Sequence, residues 1–244
     1  MMKTSLGHAR KGISGLVLAC LAHSVLVGYF LLRSTDAQPT DPPTYKPPQR
    51  GVPGGREGAG SRSIGRSFPI LTVLAPKNHM GLTVHDQPVL YWYLSHETQH
   101  PVAVTLIDLQ SVKPLLEIQL NPPLQPGMQR VRLADYGIRL APGVSYKWSV
   151  ALVPNASQRS QDVITAGTIE RIALPDGLRN QLAQADKMTS PRLYASAGLW
   201  YDTIAALSEL IDAAPQNTTL RQQRAALLEQ EDLSAAAAYD RQRK

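Results

Sequence analysis

Between residues 144 and 152 the chain reads VSYKWSVAL. Val144, Tyr146, Trp148, Val150 and Leu152 alternate with Ser145, Lys147, Ser149 and Ala151. A period of two over this stretch, opened by Pro142 and Gly143, predicts a half-buried β-strand. Comparable short runs stand earlier at 70–74, 82–84, 89–94, 102–109, 115–120 and 131–133, and a later one at 163–172. The run 89–94 (VLYWYL) is apolar on both faces, as in a central strand. About eight strands, with turn residues roughly every 8–12 positions, predict an antiparallel sandwich or barrel. No helix-length segment separates them, which argues against a parallel βαβ sheet.

Two details narrow the β region, 67–174, to an immunoglobulin-like or fibronectin-III-like antiparallel sandwich. Trp92 sits mid-strand early in the region. Leu140, Pro142, Gly143, Tyr146, Trp148 and Val150 resemble a corner-and-strand pattern in which a tyrosine hydroxyl bonds back to the corner backbone, a part assigned to Tyr146. The fold class expected is therefore mainly β. After Pro175 the rhythm becomes helical over 175–232. Asp176 opens a helix carrying Leu178 and Leu182, and Ser190 and Pro191 open a second. Residues 199–213 make a third, with Ile204, Leu207, Leu210 and Ile211 as its stripe, and 220–228 a fourth. Gly198 and Pro215 bracket the third like the second helix of a tetratricopeptide repeat. One such unit cannot bury its own face, so it must dock on something. The Ala-rich, then charged tail, 233–244, is expected to fray.

Ahead of the strands the pattern is different. Residues 13–32 are apolar or small apart from His23, behind Lys3, Arg10 and Lys11. A run of about 20 suits a membrane anchor, whereas a cleaved signal, ending near Ala37, would occupy 1–37. Either sends the remainder out of the cytoplasm, periplasmic or secreted, because a basic flank stays inside. A Pro- and Gly-rich segment, 38–66, follows with almost no apolar side chains and is expected to be a disordered tether.

The formal charge of +6 raises the question of nucleic acid. Residues 1–68 hold nine basic and three acidic side chains, which leaves 16 of each sign from residue 69 onward. The part expected to fold is neutral, so nucleic-acid binding has no support. The single cysteine, Cys20, lies in the apolar run, so no disulfide or multi-cysteine metal site can form within the chain.

Candidate chemistry is sparse. His96-Glu97-Thr98-Gln99-His100 matches the H-E-x-x-H of zinc peptidases, in which two histidines one helical turn apart bind zinc and the glutamate acts as base. It falls between two strand-like runs, where a short loop cannot supply that helix, so His96 and His100 are metal candidates only under an alternative zinc-hydrolase reading. His79 and His85 flank Gly81 and read as surface histidines. No G-x-S-x-G or phosphate loop is present, and no cofactor is expected. Tyr194, Trp200 and Tyr201 could line a binding groove, although aromatics in such positions are more often core or junction residues. Trp92, Tyr146, Trp148, Gly198 and Pro215 are assigned structural parts.

With these residues laid out, the chain resembles the bacterial domain of unknown function 928 family, mostly of cyanobacteria. The resemblance rests on LTVLAP (71–76), GLTV and the aromatic strand after it (81–93), LAPGVSYKW (140–148), GTIER (167–171) and YASAGLWYDTIAALSEL (194–210). It covers about residues 66–230, and implies an exported protein without established catalytic residues. The expected function is a non-enzymatic interaction module of the cell envelope, for instance an accessory to a membrane sensor or assembly. It would bind a protein partner through an exposed strand edge or the groove beside Trp200 and Tyr201. A carbohydrate-binding sandwich is a further alternative, requiring several aromatics exposed on one face.

Overall fold

The structure is a computed structural model that describes residues 41–48, 54–58 and 68–243. The apolar run 13–32, with its signal or anchor reading, lies outside the described residues. The described residues form one compact unit. Its strands are β1 (Leu71–Val73), β2 (Gly81–Thr83), β3 (Val89–Leu94), β4 (Val102–Asp108), β5 (Pro114–Leu120), β6 (Gly127–Arg132), β7 (Ser145–Leu152) and β8 (Val163–Arg171). Five helices follow: α1 (Asp176–Gln184), α2 (Ser190–Ser196), α3 (Trp200–Ala213), α4 (Thr218–Gln230) and α5 (Ser234–Gln242). Strand and helix contribute roughly equally, which corrects the mainly-β expectation. Among the described residues no helix is long and apolar enough to cross a membrane.

The strands form two sheets, ordered β1-β3-β6 and β2-β8-β7-β4-β5. All neighbours are antiparallel except β2 and β8. That exception has a local cause. Pro76 offers no N–H to continue β1, and the chain crosses to the other sheet and re-enters it beside β8. β1 packs against β7 and β8, so the two sheets face each other. Val73, Leu90, Trp92 and Leu94 of one share a buried core with Val104, Leu106, Trp148, Val150 and Leu152 of the other. In β7 the alternation places Trp148 opposite Leu106 on one side and Gly167 on the other. The Tyr146 hydroxyl accepts from the Ala141 N–H at 3.0 Å, which ties the preceding corner to the strand.

Helix α3 packs on β2 and β3, so the helical part is built onto the sheets. Gly198, at φ 76°, turns the chain from α2 into α3 in a conformation side-chain-bearing residues disfavour. Beyond α3, Ala214 and Pro215 end the helix, and Asn217 caps α4 by accepting from the Thr219 N–H at 3.1 Å.

Two expectations about chain ends are corrected. The tail does not fray: α5 buries Ala236 and Ala237 and packs along α4. Alanine is the best helix former, and its small side chain lets two helices approach closely. Asp240 of α5 is buried and accepts two hydrogen bonds, both 2.7 Å, from Arg224 Nε and Nη2. The described pieces of the tether also lie on the fold. Tyr45 is buried, edge-on to Trp200 at 5.0 Å between ring centroids. Its N–H donates to Gln230, and Glu57 bridges Ala166 through both backbone groups. Arg56 donates to the carbonyls of Ala75 and Glu231. Near-absence of apolar residues describes the segment on average; one tyrosine is enough to anchor part of it.

Candidate functional site

Helix α3 opens on Trp200, Tyr201 and Asp202, which are buried, as are Thr203 and Ile204 after them. On a helix, neighbours point about 100° apart, so their burial requires protein on several sides of the first turn. Each of the first three makes a separate attachment. Trp200 Nε1 donates to the Leu74 carbonyl just past β1, at 2.8 Å. The Tyr201 hydroxyl accepts from Trp148 Nε1 at 2.8 Å and donates to the Thr168 carbonyl at 2.9 Å, joining β7 and β8. Asp202 accepts from the Thr83 hydroxyl at 3.0 Å and from the Val84 N–H at 3.2 Å, at the end of β2. The Tyr201 ring lies against Gly81 so closely that a Cβ there would sit 2.4 Å from Cε2. Trp200 and Tyr201 are thus not an exposed binding groove. They fasten the helices to both sheets, and a large apolar body with a polar tip suits such a junction.

Tyr194 is half-buried and does face a cleft of about 470 Å³. His85, Gln87 and Val89 bound it on the strand side, and Tyr194, Asp202 and Glu209 on the helix side. His85 is exposed, with Nε2 3.4 Å from Asp202 Oδ1 and its ring edge-on to Tyr194. Burial pushes the Asp202 carboxyl up to about 6, against the opposing pull of His85 and the Thr83 and Val84 hydrogen bonds. Burial also raises the Tyr194 hydroxyl, helped by the charges of Asp202 and Glu209.

A raised carboxyl has a defined sign in folding. From the ordinary value of 3.8 up to about 6, folded Asp202 keeps a proton that the unfolded chain has released. Its contribution therefore weakens stability progressively as pH rises through that window, and is fully felt above it. Thermal unfolding midpoints of the Asp202→Asn variant should show a flatter decline from about pH 4 to pH 7 than the parent. An unchanged slope would remove Asp202 from that account.

The H-E-x-x-H residues lie in the loop between β3 and β4, with no helical turn. His96 Nδ1 meets the Ser95 hydroxyl at 2.8 Å, whereas the His100 ring packs edge-on against Phe68. Glu97 accepts from Gln99 and Gln125. The arrangement that places two imidazoles on one helix face is absent from this loop. His79 meets the Tyr45 hydroxyl at 2.9 Å, and His85 meets Asp202, so both have partners that their sequence neighbours do not suggest. Asp202 itself gave no sequence signal beyond its place in an aromatic-rich helix.

A model of the DUF928 family, described as a Domain of Unknown Function, matches residues 57–240. The chain belongs to the DUF928 family. No curated protein matches it. The DUF928 match begins at the residue that bridges Ala166 and ends at the carboxylate that pairs with Arg224, and so takes in most of α5. The stretches that carry the DUF928 resemblance meet in space around Tyr201: Leu74, Gly81 and Thr83, Trp148, Thr168, and the start of α3 all converge there.

Proposed function

We propose that this DUF928 protein is a non-enzymatic binding module of the bacterial cell envelope, exported or anchored through residues 13–32, which captures a protein segment by strand addition. The observation that carries this reading is β5. It pairs with β4 alone, so along Pro114–Leu120 its outer backbone groups have no strand partner among the described residues. Such an edge is a template for another strand. Leu109 and Val112, both exposed, lie at the turn leading into it and offer apolar contact to an incoming chain. The cleft supports binding over chemistry in a second way: both Asp202 oxygens are engaged by the fold.

The sandwich is of immunoglobulin-like type in this reading. Supporting it are two facing sheets of three and five strands, the β2 strand parallel to β8 at one margin, the buried Trp148 and the Tyr146 corner. The turn at Gly198 and the stop at Pro215 support the tetratricopeptide-like description of the helices.

Adjacent residues of a strand direct their N–H groups to opposite sides. One of Glu117→Pro and Ile118→Pro therefore removes only an outward N–H and leaves the β4 ladder intact. The expected outcome is that this variant keeps the parental unfolding midpoint but loses the partner recovered by crosslinking in envelope fractions. Retention of that partner by both variants, folded, would refute strand addition at β5.

A further inference from the structure

A second cleft, about 660 Å³, is lined by Tyr91 of β3, Met128 and Arg130 of β6, and residues of α3, α4 and α5. Its charges do not balance. Arg130, Arg221, Arg224 and Arg243 line it, against Asp212 and Asp240 alone. Both acids are already engaged, Asp212 by Arg130 and Asp240 by Arg224 through two parallel hydrogen bonds. Arg224 Nη1 also donates to the Ser208 hydroxyl at 2.8 Å. Arg243 lies over the Tyr239 ring, 5.5 Å from its centroid, and donates to that hydroxyl. Two guanidiniums, Arg221 and Arg243, are left without a carboxylate among the lining residues.

Arg221 is the informative one. It is 9% exposed, and its Nη1 is sealed from solvent with no hydrogen-bond partner. Arginine cannot shed its charge to escape burial. A buried unpaired charge costs several kcal/mol, and native chains keep such groups where something compensates them. A guanidinium lining a polar cleft with its Nη1 donor unfilled, in a wall that also carries Arg243, is suited to receive an oxyanion. Carboxylate would neutralise one of the two free charges. A phosphate group, carrying about 1.5–2 negative charges at neutral pH, balances both, and its oxygens match the fork of arginine donors.

We propose that this cleft binds a phosphate-type dianion, either inorganic phosphate or the monoester of a small molecule, with Arg221 as its central donor and Arg243 as the second. The Arg224–Asp240 pair frames the site and holds Arg224 away from the ligand. The site is separate from the β5 edge, and neither reading depends on the other.

Titration calorimetry and thermal unfolding of the full chain test this, with inorganic phosphate or glycerol 3-phosphate as probes and chloride at equal ionic strength as reference. The parent should bind one phosphate equivalent saturably and unfold at a higher temperature than in chloride. Tighter binding of the ester points to a small phosphorylated molecule, and tighter binding of phosphate to the free ion; either supports the site. Arg221→Met keeps an unbranched buried stem and removes the charge. It should weaken binding by about tenfold or more, while unfolding no earlier than the parent in chloride. Arg243→Gln, at an exposed position, should weaken it by a smaller factor and serves if Arg221→Met does not fold. Equal behaviour of the parent in phosphate and chloride, or undiminished phosphate affinity in the folded Arg221→Met or in Arg243→Gln, overturns the proposal.

Discussion

Replacing Asp240 by alanine should destabilise the protein by about 3–5 kcal/mol, read as a lower urea midpoint, although the substitution lies four positions before Lys244. The reason is the partner left behind. Arg224 is 6% exposed, and both its Nε and Nη2 rely on Asp240. Removing the carboxylate strands a buried guanidinium that cannot deprotonate. A control separates this from general damage to α5. Exchanging the whole pair, Arg224→Met with Asp240→Leu, removes both charges and should leave stability near the parental value or above it. A tail that merely frayed would tolerate Asp240→Ala with a change below about 0.5 kcal/mol. That result would contradict the docking of α5.

The second large effect is expected at the start of α3. Trp200→Ala empties a fully buried indole site and leaves the Leu74 carbonyl without its donor. A loss of about 3–5 kcal/mol follows from cavity formation alone. Tyr201→Phe is the sharper experiment because it barely changes volume. It deletes one hydroxyl that both accepts from Trp148 and donates to Thr168, leaving two buried polar groups unpaired. At roughly 1–3 kcal/mol for each orphaned group, the expected loss is about 2–6 kcal/mol. Equilibrium denaturation measures both variants. Aromatics on an exposed binding groove would give losses near zero, and the fastening described here would then be wrong.

How much of this was legible depends on how local the cause is. The strands could be read because a buried face forces alternation, and β7 shows it across most of its length. β3 was readable for the opposite reason: it is covered on both sides, Leu90, Trp92 and Leu94 within the core and Tyr91 and Tyr93 buried as well. Only the end of β6 was visible, since Gly127, Met128 and Gln129 carry no alternating signal and are strand only because β3 pairs with them. Two long-range effects left no pattern at all. A lone Tyr45 among prolines gains its meaning from Trp200, far along the chain. The alanines of α5 read as tail until α4 is placed beside them. Residue type alone allows Trp200 and Tyr201 either a groove or a core place, and only the partners around the first turn of α3 decide for the core. A helix turn with three different side chains buried in a row has neighbours on several sides. Arg221 and Arg224 likewise look like an ordinary solvated helix face, yet both are buried, and Arg224 is paired with Asp240 of α5.

The five-stranded sheet has two unlike margins. β2 is held under α3, whose Asp202 takes the N–H that follows the strand, whereas β5 has no strand beyond it among the described residues. If strand addition at β5 holds, two copies meeting there edge to edge would close into a two-fold pair instead of an endless fibre.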